Sequence, residues 1–167
     1  MDEAAKKTAL RMIPYGIYVL TAEAADGTVA AATVNWVTQA AFAPPLVVVA
    51  VKGDSSVHAT IKQTGRFALN VLGKGQGTVA FKFFKSVTRD GSAIAGEPFT
   101  AGANGAPLLA CAPAAVECTL VDSVERGDHS VFVGEVTAAR VTRAPEGRPD
   151  DAVLLMKDLG DKVFYGG

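Results

Sequence analysis

Cysteine, histidine and tryptophan are scarce in this chain: its 167 residues hold two, two and one of them. Cys111 and Cys118 form no C-x-x-C pair and sit in no cysteine-rich stretch, which argues against a disulfide scaffold or a zinc cluster. Cys118 falls inside an alternating strand pattern and reads as a small buried apolar side chain. Free thiols suit a reducing cytoplasm, the expected compartment. His58 and His129 have no further ligands at metal-binding spacing, so no metal is expected. A charge excess of either sign is missing too, with 16 Lys and Arg against 17 Asp and Glu. No overall field would gather nucleic acid or an anionic membrane, and a small molecule or a second copy of the chain is the expected partner. The strongest apolar run, residues 46–51, is far shorter than the ~20 residues of a membrane span and reads as a buried strand. Residues 1–11 alternate charged and apolar side chains and are not expected to act as a secretion signal.

Two chemistries are excluded by spacing. Gly73-Lys74-Gly75-Gln76-Gly77-Thr78 lacks both the G-x-x-x-x-G-K-[ST] phosphate loop and the third glycine of G-x-G-x-x-G, and reads as a flexible turn. Asp128-His129 with Ser55, Ser56 or Ser130 supplies the residue types of a hydrolytic triad, but no nucleophile elbow surrounds any of these serines.

What the chain does have is 49% hydrophobic residues with 17 Gly and 8 Pro, the profile of many short elements joined by tight turns. Its length predicts one domain over residues 1–167. Residues 4–12 predict a short helix stopped by Pro14. Residues 15–21 and 28–34 are rich in aromatic and β-branched side chains, and Asp26-Gly27 between them predicts a hairpin. A loop at Pro44-Pro45 precedes the 46–51 strand. Asp54-Ser55-Ser56 can cap a helix over 57–65 that ends at Gly65. A strand over 67–72, a helix over 79–84 and an irregular excursion over 86–109 follow. Residues 116–124 and 131–141 predict a second hairpin. Strands recurring with only short helices between them predict a mainly β fold, an antiparallel Greek-key barrel rather than a doubly wound sheet.

Thr33, Asn35, Trp36, Thr38 and Gln39 cluster where a strand ends, a common location for sites. Taken alone, they could equally satisfy turn amides while Trp36 packs on the barrel. Their companions are more specific. Residues 13–21 (Ile-Pro-Tyr-Gly-Ile-Tyr-Val-Leu-Thr), 33–38 (Thr-Val-Asn-Trp-Val-Thr), Pro44-Pro45-Leu46 and 65–72 (Gly-Arg-Phe-Ala-Leu-Asn-Val-Leu) resemble the flavin reductase family. So do Gly105-Ala106-Pro107-Leu108 and residues 127–136 (Gly-Asp-His-Ser-Val-Phe-Val-Gly-Glu-Val), in the family's order. The closing Phe164-Tyr165-Gly166-Gly167 is similar to a subset of that family.

The resemblance implies a split β-barrel that dimerises and binds flavin mononucleotide (FMN) near the subunit interface. Flavin contacts are implied at Thr33, Asn35, Trp36, Val37 and Thr38, at Ser55, Ser56 and His58, and at Phe81, Lys82, Phe84 and Lys85. Such a set offers amides to the pyrimidine edge of the ring, an apolar wall, and hydroxyls with a cation at the phosphate. His129 is implied beside the flavin face, where it would orient the nicotinamide. Trp36, Gln39, Ala41 and Val57 depart from the hydroxyl side chains that many relatives carry. The function implied is an NAD(P)H-dependent oxidoreductase, a flavoprotein passing hydride from NADH or NADPH to bound flavin and on to an acceptor, which could be a partner oxygenase. An electron carrier reduced by a partner protein and a non-enzymatic binding module on the same barrel remain open alternatives.

Overall fold

A computed structural model describes residues 1–166; Gly167, the last position of the expected domain and of the 164–167 motif, lies outside the described residues. Helix α1 spans Glu3–Arg11, capped by Asp2, whose carboxylate accepts from the amides of Ala4 and Ala5. Strands β1 (Tyr18–Glu23), β2 (Val29–Val34), β3 (Val37–Phe42) and β4 (Pro45–Lys52) lead to α2 (Ser56–Thr64) and β5 (Arg66–Val71). The short α3 (Gly77–Lys82) opens an excursion containing β6 (Arg89–Asp90), β7 (Ala93–Ile94), β8 (Glu97–Ala101) and β9 (Pro107–Leu109). Two long strands, β10 (Ala114–Glu125) and β11 (His129–Val141), precede 3₁₀ turns at Pro149–Ala152 and Met156–Leu159.

Seven strands form one antiparallel sheet in the order β2-β1-β5-β10-β11-β4-β3. Its two edges, β2 and β3, are consecutive in the chain and joined only by Asn35-Trp36. In a flat sheet those edges would lie about 29 Å apart, six strand spacings, whereas the link spans no more than about 11 Å. The sheet must therefore curl. Residues alternate across it with period two: Leu20, Ala22, Val34, Val49, Val51, Phe67, Leu69, Cys118 and Phe132 face one interior cluster. Each large side chain fully buried there stabilises the fold by ~1.5–3 kcal/mol. Helix α2 packs against β1, β2 and β4 and covers the side left open between the edges. Ser55 caps it, accepting from the amide of His58, and Gly65 ends it at φ 67°, a left-handed geometry that glycine adopts without strain.

The outer face of β1, β2 and β5 carries a second core. Ile17, Val19, Val29, Ala31 and Leu72 are buried there beneath Ala80, Phe83, Ile94, Phe99, Leu109, Leu154 and Leu159. The cover comes from the excursion and from residues after β11. The excursion is thus not irregular: β6–β9 form a four-stranded antiparallel sheet, made of strands too short and too broken by Gly and Pro to show periodicity. A second difference is β3, where the sequence reading had only a polar strand end leading into a loop. The first hairpin begins later than expected, at Tyr18, and Gly16 instead bridges to Leu155.

A buried polar knot ties the two layers. The Asn70 side chain, fully buried, donates to the carbonyl of Val19 and to Thr21 Oγ1, both at 3.1 Å, and accepts from the amide of Leu109 at 2.8 Å. Thr21 Oγ1 donates to the carbonyl of Pro107 at 2.6 Å. Both cysteines are free. Burial pushes the Cys118 thiol up to about 12 and, reinforced by Glu97, that of Cys111 to about 11, so both stay protonated at neutral pH. Asn70→Ala strands the Leu109 amide and should cost roughly 2–4 kcal/mol in urea unfolding. Gly134→Ala should cost about 1–3 kcal/mol in the same measurement, because a Cβ there would sit 2.5 Å from Phe67 Cζ.

Candidate functional site

Where the curled sheet fails to close, a pocket of about 290 Å³ opens beside the Asn35-Trp36 link. Its apolar walls are Ile17, Val51, Val57 and Phe83; its polar groups are Thr33, Asn35, Lys52, Ser55 and His129. The fold brings these together from five places. Lys52 and His129 are opposite one another across the β4–β11 ladder. Ser55 follows Lys52 by three residues at the start of α2, accepting from the amide of His58 and donating to the carbonyl of Lys52 at 2.7 Å. Phe83 and Phe84 come from the end of α3, which seals the free edge of β2: the Thr33 amide donates to the carbonyl of Phe83, and Thr33 Oγ1 to that of Ala80 at 2.7 Å.

The remaining wall is residues 163–165. The Asn35 side-chain amide, buried at 4% exposure, donates to the carbonyl of Tyr165 at 3.1 Å. The Tyr165 hydroxyl lies 2.8 Å from His129 Nε2, and Asp128 Oδ1 lies 3.0 Å from His129 Nδ1. A carboxylate can only accept, so Nδ1 carries a proton. The ring of Trp36 tilts against those of His129 and Tyr165, with centroids 4.7 and 5.3 Å away. Arg11 stacks over Phe164 at 4.2 Å. The hydrogen bond from His129 holds the Asp128 carboxyl below its ordinary range, the Asp54 carboxylate raises the Lys52 ammonium, and burial raises the Tyr165 phenol.

Of the residues singled out from the sequence, Thr33, Asn35, Ser55, Phe84 and His129 line this pocket, and Trp36 joins it through its ring contacts. The others do not. Val37 turns inward to the interior cluster, and Thr38 is exposed on the outer face of β3, its hydroxyl donating to the Gln39 carbonyl. Ser56 is exposed. His58 Nε2 is 2.8 Å from Ser130 Oγ, and its ring stacks on Phe132, away from the pocket. Lys82 pairs with Glu97, while Phe81 and Lys85 project outward because the inward stripe of α3 is Ala80 and Phe83. Sequence reasoning missed Lys52, whose signal was a cation three residues before a helix cap, and Tyr165, which belonged to a quoted motif given no place in the site.

Comparison with known proteins bears on this arrangement. A family model described as flavin reductase like domain matches residues 10–160. The NADH-dependent flavin reductase StyB of Pseudomonas fluorescens is 33% identical over 149 residues, covering 89% of this chain and 85% of that protein. The structure of the styrene monooxygenase flavin reductase of Pseudomonas putida superposes with a TM-score of 0.75 at 29% identity, covering 96% of this chain and 95% of the other. An NADH:FAD oxidoreductase of Streptomyces globisporus, solved with NAD and FAD fragments, gives a TM-score of 0.72 at 30% identity over 89% of this chain and 84% of that one. Other relatives are longer, and the chain spans only 24%, 43% and 58% of three of them.

The position of His58 makes a testable distinction. His58→Ala removes the partner of the Ser130 hydroxyl, itself only 5% exposed, and should cost about 1–2 kcal/mol in urea unfolding. It should leave the emission of Trp36 unchanged.

Proposed function

This chain belongs to the flavin reductase like domain family, and from that premise we propose that it binds FMN and reduces it with NADH or NADPH. The observation that carries the reading is the convergence of a buried amide, an imidazole, a lysine and apolar walls on one pocket. The fit is chemical. Lys52, with Ser55 and the first turn of α2, would hold the phosphate, since helix N-termini and ammonium groups both favour anions. The ion pair of Lys52 with Asp54 is exposed and weak enough to exchange. Asn35 and His129 would meet the polar edge of the ring, and Ile17, Val51, Val57 and Phe83 its apolar side. Bound flavin supplies the hydride-accepting ring and the route of electrons to an acceptor. The protein's part is to orient and shield: Trp36 and His129 form the wall beside which the nicotinamide would dock, at near-attack distance.

The strand order supports a Greek-key split barrel, with the split at Asn35-Trp36, and one domain across the chain. A second copy of the chain would cover the outer face of β3, β4 and β11, where Thr38, Val48, Val131 and Val133 share one largely apolar surface. Ala50 pairs with Val131 across the ladder and also lines the pocket, so that face adjoins the flavin site. In such a dimer Thr38 would sit at the interface. The reductase named for styrene monooxygenase favours an oxygenase as the consumer of reduced flavin here too.

Titration with FMN should give saturable binding with flavin absorbance retained on gel filtration. Rapid mixing with NADH or NADPH should then bleach it. Failure to bind FMN would overturn the reading; binding without bleaching by either donor would leave an electron carrier. Lys52→Ala should weaken FMN binding about tenfold. Light scattering should give twice the 17.2 kDa of the chain.

A further inference from the structure

We propose that residues 163–166 are a latch that occupies the flavin site of this protein in place of its ligand, and that FMN binds by displacing them. The inference rests on the FMN reading of the pocket. Its first support is that the latch satisfies the very groups a flavin would need. Tyr165 offers Asn35 a carbonyl acceptor, His129 a hydroxyl and Trp36 an aromatic face. A flavin ring system carries the same kinds of group, acceptor carbonyls flanking an N–H donor on a flat aromatic body. A buried amide such as that of Asn35 requires a partner in both states, and the Tyr165 carbonyl is a removable one.

Space gives the second support. The pocket of about 290 Å³ falls just below the ~300–1,000 Å³ typical of ligand sites. A second cavity of about 410 Å³ lies on the other side of the same segment, and Met156, Val163, Phe164 and Tyr165 line both. Withdrawal of residues 163–165 would merge the two into one cleft.

The third support is how lightly the segment is held. Up to Leu159 the chain is anchored: Leu154 and Leu159 are buried, the Leu154 amide donates to the carbonyl of Leu72 and the Met156 amide to that of Tyr15. Beyond Gly160, whose φ of 126° suits only glycine, the one backbone hydrogen bond among the described residues is local, from the Val163 amide to the Gly160 carbonyl. Val163 packs against the edge of the second core, and Asn35, His129, Trp36 and Arg11 hold the rest through their side chains. Phe164 and Tyr165 remain 53% and 48% exposed. Gly160 is therefore the natural hinge.

The test compares wild type, Tyr165→Phe, Tyr165→Ala and a chain ending at Lys162 by FMN fluorescence quenching. Circular dichroism and urea unfolding check that each variant folds. Opening the latch removes the fraction of closed protein from the apparent affinity, so Tyr165→Ala and the shortened chain should bind FMN about three- to tenfold more tightly. Tyr165→Phe, which keeps the carbonyl, should gain less. Hydrogen exchange at Phe164 and Tyr165 in wild type should speed up when FMN is added. Equal or weaker binding by the folded variants, or slower exchange at these residues with FMN, would overturn the latch while leaving the flavin site standing. Absence of FMN binding in every form would overturn both.

Discussion

Two residues, Asn35 and Trp36, connect the outermost strands of a seven-stranded sheet, and a link that short cannot reach across a flat one. Curling the sheet solves the problem and creates the interior in which Phe67, Leu69 and Phe132 are buried. It also leaves a seam. Because β2 and β3 meet end to end rather than side by side, no ladder joins them, and their edge groups need other partners. The end of α3 provides two for Thr33, α2 fills the gap between β2 and β4, and the Trp36 carbonyl accepts from the amide of Ala50.

The seam is also where polar chemistry is tolerated inside an otherwise apolar shell. Elsewhere buried polar groups act as structural ties, as Asn70 and Thr21 do between the layers. At the seam Asn35 and His129 bond instead to a half-exposed segment, so their partners can change without unpicking a strand. Lys52 stands at the end of β4, beside the helix cap, paired with the exposed carboxylate of Asp54. Cation and imidazole are thus held at strand ends and the amide in the short link between β2 and β3, while the Asp54 and Tyr165 groups they bind lie outside the sheet.

Much of this could be read from the residues. Pro14 marked the end of α1, Ser55 and Gly65 outlined α2, and long alternation outlined β10 and β11. What escaped did so for physical reasons. Strand β3 has Thr38, Gln39 and Ala41 where apolar alternation would normally signal a strand, because it is an edge with consecutive exposed residues, Thr38 to Ala40, and a bulge between Gln39 and Ala41. Strands β6 to β9 are held by pairings too short to leave a pattern. In the site, Asn35, Ser55 and His129 were legible through the family's motifs, but motif order says nothing of side-chain direction. Register turns Val37 inward and Thr38 outward, and helical phase sends Lys82 towards Glu97 and His58 towards Ser130. Lys52 and Tyr165 gain meaning only from what lies across the ladder or folds back from far along the chain.

The floor of the pocket carries a further implication. Ile17 is held there by its amide bond to the carbonyl of Leu154, and Leu154 in turn donates to Leu72, so three stretches from the beginning, middle and late part of the sequence must meet before the floor exists. Contacts of such long range are slow to form, because loop closure precedes any gain from them. During folding, the curled sheet has the means to assemble from its hairpins first. Binding competence would then be the last property the chain acquires, which separates the moment it becomes folded from the moment it becomes useful.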